Sequence, residues 1–148
     1  MDYEKYMRQA LALAAEAAEA GEVPVGCVIV DGAGNVLGAG RNRREETRCV
    51  SGHAEMEAID AASKARGDWR LDDCTAFVTL EPCPMCAGAM INARLGTLVY
   101  GAREQQFGSA ASILNLFAEA YPSRTAIFGG VLADESAKLL KEFFEKKR

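Results

Sequence analysis

Apolar positions recur at helical spacing from the start of the chain: over residues 2–20, Tyr3, Met7, Ala10, Leu11, Ala14 and Ala17 share one face. Gly21 ends that pattern. The β-branched run VPVGCVIVD (23–31) predicts a buried strand, and with the GAG turn and NVLGAGRN (35–42) it makes 24–41 a hairpin. Ser51 or Gly52 is expected to open a helix running to about Ala65. CTAFVTLE (74–81) reads as a core strand, Cys83 to Ala93 as a short helix, and GTLVYGA (96–102) as a further strand. A helix over 109–119, a last strand in RTAIFGG (124–130) and a final helix capped by Asp134 and reaching Lys146 complete the chain.

Strands alternating with helices imply an α/β fold with a mostly parallel or mixed sheet covered on both faces. The 148 residues are expected to form a single domain over 1–148, with an ordinary balance of 49% hydrophobic and 26% charged residues. Its glycine-rich pieces are turns. DGAGNVLGAG sits inside a hairpin, with no following helix to cradle a phosphate. No apolar stretch reaches the ~18 residues of a membrane span. The N-terminal segment has no basic start and carries acids throughout, so it is not read as a signal peptide and a cytoplasmic protein is expected. Five cysteines in such a protein argue against a disulfide framework and leave metal ligation or core packing. The net charge is −4 and the pI about 5.1, whereas a nucleic-acid binder more often shows a basic excess. Two local clusters run the other way. RNRREETR (41–48) and KEFFEKKR (141–148) each carry four bases against two acids.

Chemistry concentrates in two segments. GHAEMEAIDAA (52–62) holds the only histidine, His53, two positions before Glu55. TLEPCPMCAGAM (79–90) holds Cys83 and Cys86 at the start of a predicted helix, so that both sulfurs leave one face. Pro82 and Pro84 suit a helix start, and helix N-terminal N–H groups favour the thiolate that binds metal. Two helix N-termini can meet at one end of a sheet. One imidazole and two thiolates make a donor set that suits zinc, one ion per chain, with the fourth position open to water as in a catalytic site. Cys27, Cys49 and Cys74 remain possible fourth ligands on spacing alone. A redox dithiol is the other reading of C-x-x-C, although this pair follows the third predicted strand and not the first. A zinc site of this kind needs a proton carrier, and Glu55 stands where one is required.

The pair HAE (53–55) and PCPMC (82–86) resembles the signature of the zinc-dependent nucleobase deaminase superfamily. The resemblance extends over nearly the whole chain, through GEVPVGCVIV (21–30), the Asn-Arg at 42–43, WRLDDCTAFVTLEPCPMCAGAM (69–90), RLGTLVYGAR (94–103) and GVLADE (130–135). It is closest to bacterial tRNA-specific adenosine deaminases. The resemblance implies a three-layer α/β/α sandwich around a five-stranded mixed sheet, zinc held by His53, Cys83 and Cys86, and Glu55 as catalytic proton shuttle. It also implies that Asn42 and the Ala54 backbone N–H bind the base, that the enzyme is a homodimer, and that it converts the wobble adenosine-34 of a tRNA anticodon loop to inosine with release of ammonia.

Departures from that pattern gather on the substrate wall. EQQFG (104–108) stands where the tRNA enzymes carry Asp-x-Lys-x-Gly, YPSR (121–124) where they carry an Asn-His pair, and VSG (50–52) where they carry Pro-Thr-Ala. The basic clusters at 41–48 and 141–148, which family members place near the RNA, partly offset the lost Lys and His. Phe107 and Tyr121 are candidates to stack on bases. A tRNA anticodon loop is therefore the leading partner, and a free base, nucleoside or related heterocycle the alternative. A non-catalytic zinc-stabilised module is a third reading, against which Glu55 stands, since a structural site has no use for a shuttle.

Overall fold

The computed structural model describes residues 1–147. Arg148, the last residue of the C-terminal basic run, lies outside the described residues. Helix α1 (Tyr3–Glu19) starts at Asp2, whose side chain accepts a hydrogen bond from the Lys5 N–H at 3.1 Å, and its apolar stripe is the buried face expected from its spacing. Strands β1 (Gly26–Val30) and β2 (Val36–Arg41) form the predicted hairpin. A short helix α2 (Arg44–Thr47) leads to α3 (Ala54–Arg66), then β3 (Thr75–Leu80), α4 (Pro84–Asn92), β4 (Thr97–Ala102), β5 (Ala126–Phe128) and α5 (Ala133–Lys146). The five strands make one mixed sheet in the order β2-β1-β3-β4-β5, with β1 antiparallel to both neighbours and β3, β4 and β5 parallel.

Alternation along the strands divides the core in two. Cys27, Ile29, Ala76, Val78 and Leu98 face α3 and α4, while Val28, Val30, Phe77 and Val99 face α1 and α5. The expected α/β/α sandwich is therefore present. Strands β1 and β3 are buried on both faces, which is why they read as continuous apolar runs. No helix among the described residues is long and apolar enough to cross a membrane.

One contact fixes the layer that matters for function. Helix α3 presents Ala54, Ala58 and Ala62, all fully buried, to Gly38 and Gly40 of β2. A Cβ on Gly40 would lie 2.5 Å from the Ala54 carbonyl oxygen, and one on Gly38 would overlap the backbone at Ala58 and Ala62. Only glycine admits helix backbone this close to strand backbone.

Four expectations need correction. The segment 109–119 is not a helix: it is a compact loop ending in a single 3₁₀ turn at Leu116–Ala118. The N–H groups of Ala110, Ala111 and Ser112 all donate to the buried Glu81 carboxylate, so a tertiary partner displaces the helical ladder. Helix α3 opens at Ala54, with His53 as its N-cap, and not at Ser51 or Gly52, because Gly52 is tied back to Cys49 and Arg43. Asp134 lies in the first turn of α5, not at its cap; the cap is Leu132 in the left-handed region at φ 54°. The last strand is only three residues long, as suits an exposed sheet edge.

Replacing Gly38 by alanine should force α3 off β2. The expected loss is about 1–3 kcal/mol, the usual range for overpacking. Thermal unfolding checks it as a fall in melting temperature of roughly 2–4 °C per kcal/mol lost.

Candidate active site

Strands β2 and β3 both run toward the same end of the sheet, and the chain leaves each of them into a helix start. After β2, α2 and the 48–52 turn deliver His53 as N-cap of α3. After β3, Glu81 and Pro82 deliver Cys83 as N-cap of α4. Both caps have extended backbone, and their side chains turn toward one another. Cys86 lies one turn into α4 and is fully buried. The distant segments 53–55 and 83–86 thus come together.

The His53 Nδ1 lies 3.7 Å from Cys83 Sγ and 3.4 Å from Cys86 Sγ, and the three donor atoms all fall within 4.8 Å of one another. A tetrahedral centre with Zn–N near 2.1 Å and Zn–S near 2.3 Å separates nitrogen from sulfur by about 3.6 Å. The spacing and chemistry of this donor set therefore fit zinc. Among the described residues no fourth His, Cys, Asp or Glu joins the group. Cys27 and Cys74 are buried in the core, where burial pushes Cys27 well up and Cys74 up to about 11, and Cys49 is exposed. Spacing alone had left all three open as ligands.

Protonation follows from the same geometry. The Cys83 thiol is drawn down to about 4, chiefly by the hydrogen bond from Cys86 and also by His53 beside it. The Cys83 sulfur and burial push Cys86 the other way. The hydrogen bond to Cys83 raises His53. Glu55 is only 4% exposed, and burial lifts its carboxyl to about 7, against the pull of its own backbone N–H and of His53. A carboxyl so balanced both takes and gives a proton near neutrality.

The two expected base contacts differ. Ala54 opens α3, so its N–H is one of the helix's free N-terminal donors. The Asn42 side chain is engaged within the protein: Nδ2 donates to the Val23 carbonyl at 3.2 Å and Oδ1 accepts from the Arg44 N–H at 3.2 Å. Phe107 and Tyr121 are 59% and 50% exposed. In the 41–48 cluster, Arg41 and Arg43 pair with Glu46 and Arg43 also with Glu57, while Arg44 and Arg48 make no ion pair among the described residues. Arg44 stands close enough to His53 to oppose its protonation.

Two structural residues escaped the sequence reading. Glu22, 2% exposed, accepts from the N–H groups of Glu45 and Glu46 at 3.0 and 2.7 Å and so anchors α2. Glu81, equally buried, binds the 104–112 loop. Each is a carboxylate adjoining an apolar strand, which is the pattern that marks them.

The MafB19-like deaminase family matches residues 1–148. Among curated proteins, a tRNA(Ile)-lysidine synthase of Deinococcus radiodurans is 45% identical over 142 residues, 96% of this chain; the chain spans only 24% of that protein's length. A tRNA-specific adenosine deaminase of Bacillus subtilis is 41% identical, covering 98% of this chain and 90% of its own. Among solved structures, one from studies of A-to-I editing by tRNA:A34 deaminases has a TM-score of 0.88 at 37% identity, covering 92% of this chain and 99% of that one. A guanine deaminase from Nitrosomonas europaea has a TM-score of 0.83 at 26% identity, covering 95% of this chain and 83% of that one.

Replacing His53, Cys83 or Cys86 by alanine should each lower bound zinc well below one ion per chain in metal analysis of dialysed protein. Cys49→Ser should leave the stoichiometry unchanged.

Proposed function

The chain belongs to the MafB19-like deaminase family, and from that premise we propose that it is a zinc-dependent hydrolytic deaminase converting wobble adenosine-34 of tRNA to inosine, with release of ammonia. The observation that carries the chemistry is the convergence of His53, Cys83 and Cys86 beside a buried Glu55. The tRNA substrate is supported by near full-length similarity to tRNA-specific adenosine deaminases. In this reading the enzyme is a cytoplasmic homodimer, as the family resemblance implies.

His53, Cys83 and Cys86 would hold the zinc. When bound, zinc supplies Lewis acidity, which lowers the pKa of water to about 7. Glu55 carries the protons. Its carboxylate accepts one from the attacking water and delivers it to N1 of the adenine ring, so that C6 becomes the electrophile. It then takes the proton of the new C6 hydroxyl and hands it to the amine, so that the C6–N bond breaks as C6=O forms and ammonia leaves. The net change is one water consumed and one ammonia released. The buried position of Glu55 keeps bulk water from competing for those protons. The Ala54 N–H is placed to donate to the ring edge, and Asn42 would need to turn one amide end from its internal partners to meet the base. Arg44 and Arg48 offer positive charge to the phosphates of a splayed loop.

A second reading is favoured by the altered wall. Gln105, Gln106 and Phe107, with Tyr121 to Arg124, carry less positive charge than the tRNA enzymes' pattern, and the fold is shared with a guanine deaminase. A free base or nucleoside is then the substrate of the same chemistry.

Incubation with total tRNA, followed by nucleoside digestion, should yield new inosine; ammonia from a free base alone would support the second reading. Glu55→Ala should retain zinc and slow inosine formation by on the order of 10²–10⁴ or more. Arg44→Ala combined with Arg48→Ala should weaken binding of an anticodon stem-loop. The slope of log affinity against log salt should become shallower by about one per lost phosphate contact.

A further inference from the structure

Glu81 has no part in proton transfer or metal binding, yet it is 2% exposed. Its charge has no ion-pair partner among the described residues. Five donors from one loop surround it instead. Oε1 accepts from the Glu104 N–H at 3.2 Å and the Ser112 hydroxyl at 2.5 Å, and Oε2 accepts from the N–H groups of Ala110, Ala111 and Ser112 at 3.1, 2.8 and 2.9 Å. A carboxylate has about four lone-pair sites, so this one is saturated.

The clamp joins the loop to the ligand segment. Glu81 and Pro82 immediately precede Cys83, and the Pro82 carbonyl accepts from the Ser109 N–H at 2.9 Å. Gly108 lies against the same carboxylate: a Cβ there would stand 2.6 Å from Glu81 Cδ and Oε1. Loop 104–112 and the cysteine segment are therefore tied into one body. Phe107 leaves that body next to Gly108, 59% exposed.

We propose that Glu81 is a positioning residue for the substrate: by clamping loop 104–112 onto Pro82–Cys83, it holds the Phe107 side of the substrate wall in fixed register with the metal-binding cysteines. This rests on the deaminase reading above. The clamp acts on binding of the substrate and leaves the proton path through Glu55 untouched.

The test uses Glu81→Gln, which keeps the side chain's size but turns a donor toward donors. Zinc content, amide hydrogen exchange, kcat and KM are measured on the full chain. The expected result is one zinc per chain and exchange faster by about tenfold or more at residues 104 and 110–112. KM should rise about tenfold with kcat changed less than about threefold. Gly108→Ala pushes on the clamp from the loop side and should shift KM in the same direction; it carries the test if Glu81→Gln does not fold. Phe107→Ala should raise KM in the parent chain and add little to Glu81→Gln. An unchanged KM in both clamp variants would overturn the proposal, as would loss of zinc or an equal fall in kcat. The parent chain is assayed alongside on a stem-loop and on free adenine, guanine and their nucleosides, and KM is compared on whichever it turns over. A parent active only on a free base sinks the tRNA reading and leaves the Glu81 comparison intact. A parent active on none overturns both.

Discussion

The close approach of α3 to β2 is the constraint on which the site depends. With Gly38 and Gly40 on the strand and Ala54, Ala58 and Ala62 on the helix, no side chain intervenes between the two backbones. The helix has one height above the sheet, and its first turn has one place to stand. His53 caps that turn, and the Arg43 N–H bonds the Gly52 carbonyl at 2.9 Å, so the residue entering the helix is anchored as well. A side chain at either glycine would lift α3, carrying the imidazole away from the two sulfurs.

The second helix arrives by a different route. Strand β3 lies at the middle of the sheet, held by β1 on one side and β4 on the other. Thr79 near its end accepts from the Gly26 N–H at 3.2 Å with its hydroxyl, and from the Ser136 hydroxyl at 2.5 Å with its carbonyl. The strand end that delivers Cys83 is thus fixed by its neighbouring strand and by α5. Two helix N-termini then meet, and their unpaired N–H groups favour negative charge between them. Buried carboxylates secure the surrounding loops in a shared manner. Glu22 binds the start of α2 and Glu81 binds loop 104–112, each using backbone N–H groups where a lysine or arginine would otherwise be needed. Glu55 differs from these two. It is buried as well, and there burial lifts the carboxyl to about 7 against the pull of its own backbone N–H.

Legibility along the chain followed the range of the forces involved. Helix α1 and the central strands were readable because a period of 3.6 or a continuous β-branched run reports burial directly. The cysteine pair was readable because a proline-flanked helix start brings the N-cap residue and the third helical residue close together, as it does Cys83 and Cys86. The segment 109–119 misled for the opposite reason. Its composition suits a helix, but its amides are claimed by Glu81, some thirty positions earlier in the chain. Asp134 likewise looks like a cap, yet Gly130 and Val131 are drawn onto the end of β4 through Gly101 and Tyr100, so the helix begins at a left-handed Leu132. The resemblance assigns the Asn42 amide to the base, and the structure engages both of its ends within the protein.

By itself the sequence determined the central strands, most of the helices and the donor chemistry of the candidate site, because residue type and local spacing carry that information. It left open whether Cys27, Cys49 or Cys74 joined His53, and it could not say what holds the 104–112 loop. Those were decided by tertiary structure alone. Which sulfur meets which nitrogen depends on how two strands pair and how closely a helix rests on glycine, and a buried carboxylate chooses its donors only once the sheet has brought a distant loop within hydrogen-bonding range.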